Sequence, residues 1–171
     1  PRSTLFPYTT LFRSHRVPML AVSAVPGANP GAAVSLSASA VEAEAVGWSQ
    51  LGGPGTATFA DASQASTSVT FDLPGVYQLE LAAVNSNGES SVTLLVEVNA
   101  PPTAPGTSLT IAANTPGSIV LPMGDPDGDP VSVVSFTQGG HGTVTVDGDS
   151  ASYTPATNFT GEDAFSYTVG D

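Results

Sequence analysis

Three aspartates occupy alternate positions of one short stretch, Asp125-Pro-Asp-Gly-Asp129, and Pro130 comes next. Carboxylates at i, i+2 and i+4, held in a tight loop by Pro126, Gly128 and Pro130, give the oxygen-rich, adaptable ligand set that Ca²⁺ takes. An EF-hand is excluded, because its sixth position needs Gly and its twelfth Glu, where this chain has Pro130 and Phe136. Further oxygens could come from Glu162, Asp163 or Asp171. The competing reading is a solvated Asp-Pro and Asp-Gly turn between strands.

Little else in the chain has the makings of chemistry. There is no Cys, so disulfides, thiolate nucleophiles and Cys-ligated metals are excluded. Two His and no Lys leave no multi-His metal site and no Schiff base. His141 lies in Gly139-Gly-His-Gly142 with no Ser or acid set around it by a motif, and no Gly-x-Ser-x-Gly elbow exists. Asp147 and Asp149 flank Gly148 as a hairpin turn, and Glu42 and Glu44 read as a solvated edge that discourages strand pairing. With 15 acids, a carboxylate pair for glycoside hydrolysis is formally available, but the acids lie in turns and linkers. The expectation is that the chain is not an enzyme. Its formal net charge of −12 also argues against nucleic acid, whose affinity comes from Lys and Arg displacing counterions.

The elements that position these residues are β-strands. Of 171 residues, 40% are hydrophobic, too many for a disordered acidic tail. They fall in short stretches rich in Val, Thr, Ser and aromatics, separated by Gly, Pro, Asn and Asp, which is the pattern of an all-β sandwich. The expected strands of a first module, residues 15–99, are 17–25, 33–38, 46–50, 57–59, 66–71, 76–85 and 91–98. Along 76–85 the larger apolar side chains alternate onto one face, and Asn85-Ser-Asn-Gly88 closes a hairpin whose Asn and Gly tolerate positive φ. Residues 100–106, with Pro101, Pro102 and Pro105, read as a stiff linker, since proline lacks a ladder donor. A second module, 107–171, is expected to hold strands at 108–113, 118–121, 131–137, 143–147, 151–154 and 164–169. Its last strand is missing from the pattern, so this sandwich reads as truncated. No stretch approaches the roughly 18 apolar residues that span a membrane, so no membrane insertion is expected.

Residues 1–14, PRSTLFPYTTLFRS, share nothing in composition with the rest of the chain. They resemble the in-frame translation of a short-read sequencing adapter and are set aside from the fold.

The first module resembles polycystic-kidney-disease (PKD) type immunoglobulin-like domains of bacterial surface proteins. The resemblance rests on Trp48-Ser-Gln-Leu-Gly-Gly-Pro54, Ala57-Thr-Phe59, Val69-Thr-Phe71, Pro74-Gly-Val-Tyr-Gln-Leu-Glu-Leu81, Asn85-Ser-Asn-Gly88 and Val96-Glu-Val98. It implies a core position for Trp48 and a tyrosine corner at Tyr77. The Trp-Asp-Phe-Gly-Asp-Gly run of the better-known form is absent.

The second module resembles cadherin-like tandem-repeat immunoglobulin domains of long bacterial extracellular proteins. Its matching residues are Asp125-Pro-Asp-Gly-Asp129, Gly142-Thr-Val-Thr-Val146, Tyr153-Thr-Pro155, Asn158-Phe-Thr-Gly161 and Asp163-Ala-Phe-Ser-Tyr-Thr-Val169. That resemblance implies calcium between consecutive repeats.

Together these readings point to two tandem immunoglobulin-like β-sandwiches. The expected role is a non-catalytic spacer, stalk or adhesion module of a bacterial surface or secreted protein, extracellular and open to rigidification by calcium. Its partners would be neighbouring repeats of the same long chain, or a cell-surface protein or polysaccharide. The alternative is an accessory region, binding substrate or carbohydrate, of a secreted hydrolase. Exposed aromatic rings would favour that alternative, whereas Trp48, Phe71, Tyr77 and Phe165 fall at expected core positions.

Overall fold

The computed structural model describes residues 16–25 and 27–171. The adapter-like residues 1–14 and His15 lie outside the described residues. The chain divides after Val98 into two compact units, and no α-helix occurs among the described residues.

The first unit has eight strands: β1 (Met19–Val22), β2 (Ala33–Leu36), β3 (Ala38–Val41), β4 (Ala45–Gly52), β5 (Ala57–Phe59), β6 (Thr67–Phe71), β7 (Gly75–Asn85) and β8 (Gly88–Val98). One three-stranded sheet runs β4-β7-β8 and another β2-β6-β5, with β1 paired to β3. Strands β2 and β3 are one run of chain that changes partners at Ser37, leaving β6 and meeting β1. Ser66 bridges the break, its hydroxyl both accepting from the Ala38 N–H (3.2 Å) and reaching the Ala38 carbonyl (3.1 Å). Taken in chain order, this is the A-B-E-D and C-F-G arrangement of a seven-stranded immunoglobulin-like sandwich.

The alternation along 76–85 decides what is buried. Tyr77, Leu79 and Leu81 point inward and are fully enclosed, while Val76, Gln78 and Ala82 face solvent. They meet Leu36, Val69 and Phe71 from the opposite sheet and Val96 and Val98 from β8. Each such side chain contributes about 1.5–3 kcal/mol by leaving water. Trp48 lies in this core at 5% exposure. It stacks on Phe59 at 6.2 Å and donates its indole N–H to the Ala65 carbonyl at 3.0 Å.

At the β6–β7 corner the Tyr77 hydroxyl lies 3.0 Å from the Leu73 carbonyl and 3.2 Å from Asp72 Oδ1. This is a tyrosine corner, tying the start of β7 back onto the preceding turn. Asp72 Oδ1 also accepts the Thr56 N–H at 2.6 Å, and that bond, with a smaller contribution from Tyr77, holds its carboxyl below the usual range. Gln50 does similar work alongside, donating to the Gly55 carbonyl (2.7 Å) and accepting the Ala57 N–H (2.8 Å). These bonds explain why the Trp-Ser-Gln and Gly-Pro stretch is polar yet well fixed.

The second unit contains β9 (Gly117–Val120), β10 (Ser132–Phe136), β11 (Gly142–Asp147), β12 (Ser150–Pro155) and β13 (Tyr167–Gly170). Its sheets are β11-β12-β9 and β10-β13. The order repeats D-E-B and C-F of the first unit, so the two units share one plan. No strand equivalent to β8 lies beside β13 among the described residues. Its enclosed apolar residues are few: Ala100, Leu121, Val144 and Ala151. Side-chain hydrogen bonds supplement that small core. Gln138 brackets Val144, donating to its carbonyl (2.9 Å) and accepting its N–H (2.7 Å), as a neighbouring strand would.

Three expectations change against the structure. Residues 100–106 do not stand apart as a spacer: Thr103 exchanges backbone hydrogen bonds with Gly124 at 2.7 and 3.0 Å, and the Pro105 carbonyl lies 2.9 Å from the Tyr167 hydroxyl. The prolines flank Thr103, whose N–H donates to Gly124, so the stretch behaves as a short edge. Residues 108–113 form no ladder. Instead Leu109 and Ile111 lie over Gly117, where an added Cβ would collide with the Ile111 side chain. Finally, in the β7–β8 turn Ser86 and Asn87 keep negative φ and only Gly88 is positive, at 143°. Asn85 closes the turn with its side chain, accepting the Asn87 N–H at 2.8 Å.

Candidate metal centre

Asp125, Asp127 and Asp129 sit on the connection between β9 and β10, just past the enclosed Leu121. Gly128, at φ +87°, allows the chain to turn back within five residues. Asp125 organises the loop from inside: its Oδ1 accepts the N–H of Asp127 at 2.7 Å and of Asp129 at 3.3 Å. Asp127 reaches further, its Oδ2 accepting the N–H of the buried Ala100 at 2.5 Å. One carboxylate oxygen from each of the three residues lies within 4.8 Å of the other two.

Two observations bear on whether a cation fits. The second unit contains no Arg or Lys, so nothing of its own offsets three converging carboxylates. In addition, Asp125 Oδ2 is buried and has no hydrogen-bond partner. A buried acceptor without a partner is destabilising, and a hard divalent cation supplies what it lacks. The donor set, all oxygen and converging on one loop, therefore fits Ca²⁺.

The other acids expected as ligands do not join the trio, which is the one converging group of three such side chains among the described residues. Asp171 Oδ2 accepts from the Asn99 side chain at 2.8 Å. Glu162 is exposed. Asp163 is saturated by protein donors: Oδ1 accepts the N–H of Gly140 (2.7 Å) and Ala164 (2.9 Å), and Oδ2 the N–H of His141 (2.8 Å) and the Tyr153 hydroxyl (2.7 Å). It is a latch holding the Gly139-Gly-His141 loop against β12. The spacing of Tyr153 and Asp163 is visible in the sequence, but their meeting needs the fold. The His141 ring stacks on Phe159 at 4.3 Å and 11°.

The latch makes the second unit sensitive to acid. The Tyr153 hydrogen bond, followed by those from the His141, Gly140 and Ala164 N–H groups, lowers the Asp163 pKa to about 2. A carboxyl depressed on folding contributes stability that is complete above its unfolded value and is lost as pH falls through the folded one. Stability is therefore expected to decline as pH falls from about 4 towards about 2. In Asp163→Asn that part of the decline disappears and the unit is weaker already at neutral pH. Denaturant midpoints across this pH range check it; identical slopes for both proteins would refute the assignment.

Comparison with known proteins gives three kinds of likeness. Residues 99–171 match the model of the bacterial Ig domain family. A segment of 44 residues is 48% identical to the protein GAMETE EXPRESSED 2 of Arabidopsis thaliana, covering 26% of this chain and 5% of that protein. Among solved structures, an I-band fragment of titin superposes with a TM-score of 0.46 at 12% identity, over 90% of this chain and 65% of that one. An endo-fucoidan hydrolase of glycoside hydrolase family 107 does so with a TM-score of 0.37 at 18% identity, over 90% of this chain and 32% of that one. The chain is thus all-β with two immunoglobulin-like units in tandem, of which residues 99–171 match the bacterial Ig domain family.

Proposed function

We propose that the chain is a pair of non-catalytic repeat modules of a bacterial surface or secreted protein, acting outside the cell as spacer or adhesion domains. The observation that carries this reading is the repetition itself. Two units of one strand plan succeed each other directly, and among the described residues the one converging set of acids and histidines is the Asp125 trio. On this reading the first unit is of the PKD type and the second of the cadherin-like tandem-repeat type. Neighbouring repeats of the same long chain are the immediate partners, with a cell-surface protein or polysaccharide beyond them. An accessory sugar-binding role is less well supported, because Trp48, Phe71 and Tyr77 are enclosed; Phe165, expected in the core, is half-buried, and Phe136 is the one Phe, Tyr or Trp ring that stands exposed among the described residues.

Calcium belongs to the same proposal. Asp125, Asp127 and Asp129 would hold the ion, and its two positive charges would offset most of the trio's negative charge. Because Asp127 also holds Ala100, fixing the trio stiffens the entry to the second unit. Extracellular modules bind Ca²⁺ with dissociation constants of about 10⁻⁴–10⁻³ M. At ~10 mM Ca²⁺ the second unit should gain about 1.4–2.7 kcal/mol. Thermal melting with and without the ion measures this, and Asp125→Asn should abolish most of the gain. A melting temperature unchanged by calcium would reject the metal and leave the spacer reading standing.

A further inference from the structure

The outer face of the β4-β7-β8 sheet carries a depression that the spacer role does not use. Its floor is built by the register. Gly47, Ala82 and Ser91 lie side by side on the three strands, all outward. Glu80 stands one step along the face on one side of that row, and Val84 with its neighbour Glu89 one step on the other. The result is a shallow groove of about 490 Å³ with a carboxylate at each end.

Among the described residues neither carboxylate has a partner. Glu80 is half-buried on the face, yet neither it nor Glu89 has an ion pair or a side-chain hydrogen bond among the described residues. Arg16 is the one described basic side chain, and it pairs with neither; its carbonyl instead accepts from Asn85 at 2.8 Å. Glu44 adds negative charge at the Val84 end, its N–H donating to the Val84 carbonyl at 2.8 Å. A carboxylate on a sheet face without a counter-charge is open to receive a cation.

We propose that this groove is a docking site for an extended protein segment bearing two basic residues four positions apart. Charge complementarity selects the occupant. The chain has a net charge of −12, so a second copy is repelled, whereas a basic segment is drawn in. Geometry sets the spacing. Glu80 and Glu89 are separated by four residue steps along the strand direction, about 13 Å at 3.3 Å per residue. In an extended segment residues i, i+2 and i+4 share a face at the same pitch. The outer two reach Glu80 and Glu89, preferably as Arg, which can grip a carboxylate with two parallel bonds. The middle one, small or apolar, rests between the Ala82 methyl and Gly47, which has no side chain to obstruct it.

Two peptides of identical composition and charge test this, acetyl-Arg-Ser-Val-Ser-Arg-amide and its isomer acetyl-Arg-Arg-Ser-Val-Ser-amide, titrated into the ¹⁵N-labelled full chain. The first is expected to bind about tenfold tighter, since the isomer can satisfy only one carboxylate at a time. Its shifts should centre on the amides of Gly47, Ala82 and Ser91. The preference should vanish in the double variant Glu80→Gln, Glu89→Gln and persist in Asp147→Asn, Asp149→Asn, which removes the same charge elsewhere. Equal affinity for the two isomers, no binding of either at millimolar concentration, or a preference that survives in the Glu80, Glu89 variant would each overturn the proposal.

Discussion

Trp48→Ala lowers the stability of the first unit by about 3–5 kcal/mol. The indole is the largest side chain of the sandwich and touches both layers, stacked on Phe59 of β5 while its own strand β4 belongs to the opposite sheet. Removing it leaves a void that the surrounding strands cannot close, because β4 and β7 are held in unbroken register from Ala45 to Gln50. It also strips the Ala65 carbonyl of its donor. A domain of this size has about 4–12 kcal/mol in all, so the loss is a large share. Trp48→Phe separates the two contributions, keeping a ring but losing the indole N–H, and should cost only about 1–3 kcal/mol. Urea unfolding monitored by circular dichroism gives both values. If Trp48→Ala shifted the midpoint no more than Trp48→Phe, the void would not be the dominant loss.

Gly53→Ala is expected to cost about 2–5 kcal/mol, a larger penalty than one methyl group normally brings. Two effects combine at this position. Its φ of +150° lies where side chains are rarely accommodated, and an added Cβ would approach Tyr77 Cδ1 to 2.5 Å. Tyr77 cannot retreat, because its ring is fully enclosed against Phe71 at 4.6 Å and its hydroxyl is held at the Leu73 carbonyl. The substitution therefore disturbs the tyrosine corner itself. Gly47→Ala serves as the control: nothing lies within 4 Å of its added Cβ and its φ is unexceptional, so its effect should be slight. Equal midpoints for the two variants would show that the corner tolerates displacement.

Much of the first unit is legible because its strands alternate strictly. Tyr77, Leu79 and Leu81 against Gln78, Glu80 and Ala82 leave one face to bury, and the structure buries it. The Trp48 and Tyr77 positions can be read for the same reason: a lone large aromatic in a strand of small residues has one place to go. The second unit is less legible. The residue types at 108–113 suggest a strand, yet those residues cover Gly117 without a ladder, because a pattern of side chains does not provide a neighbouring backbone. Proline at 101, 102 and 105 suggests a free spacer, but one non-proline residue, Thr103, is enough to join the stretch to Gly124. The Asp125 trio is evident as a motif, whereas its orphaned oxygen is not.

By itself, then, the sequence determined the class of structure and its acidity. Period-two patterning admits only a sheet, and a near absence of basic residues cannot be altered by folding. The tertiary structure decided which polar groups found partners. Asp163 met four donors brought from separate segments, while Asp125 Oδ2, Glu80 and Glu89 met none among the described residues, although all four residues are carboxylates. Partnership depends on which segments pass within about 3 Å of each other, and that distance is fixed only when the sheets pack.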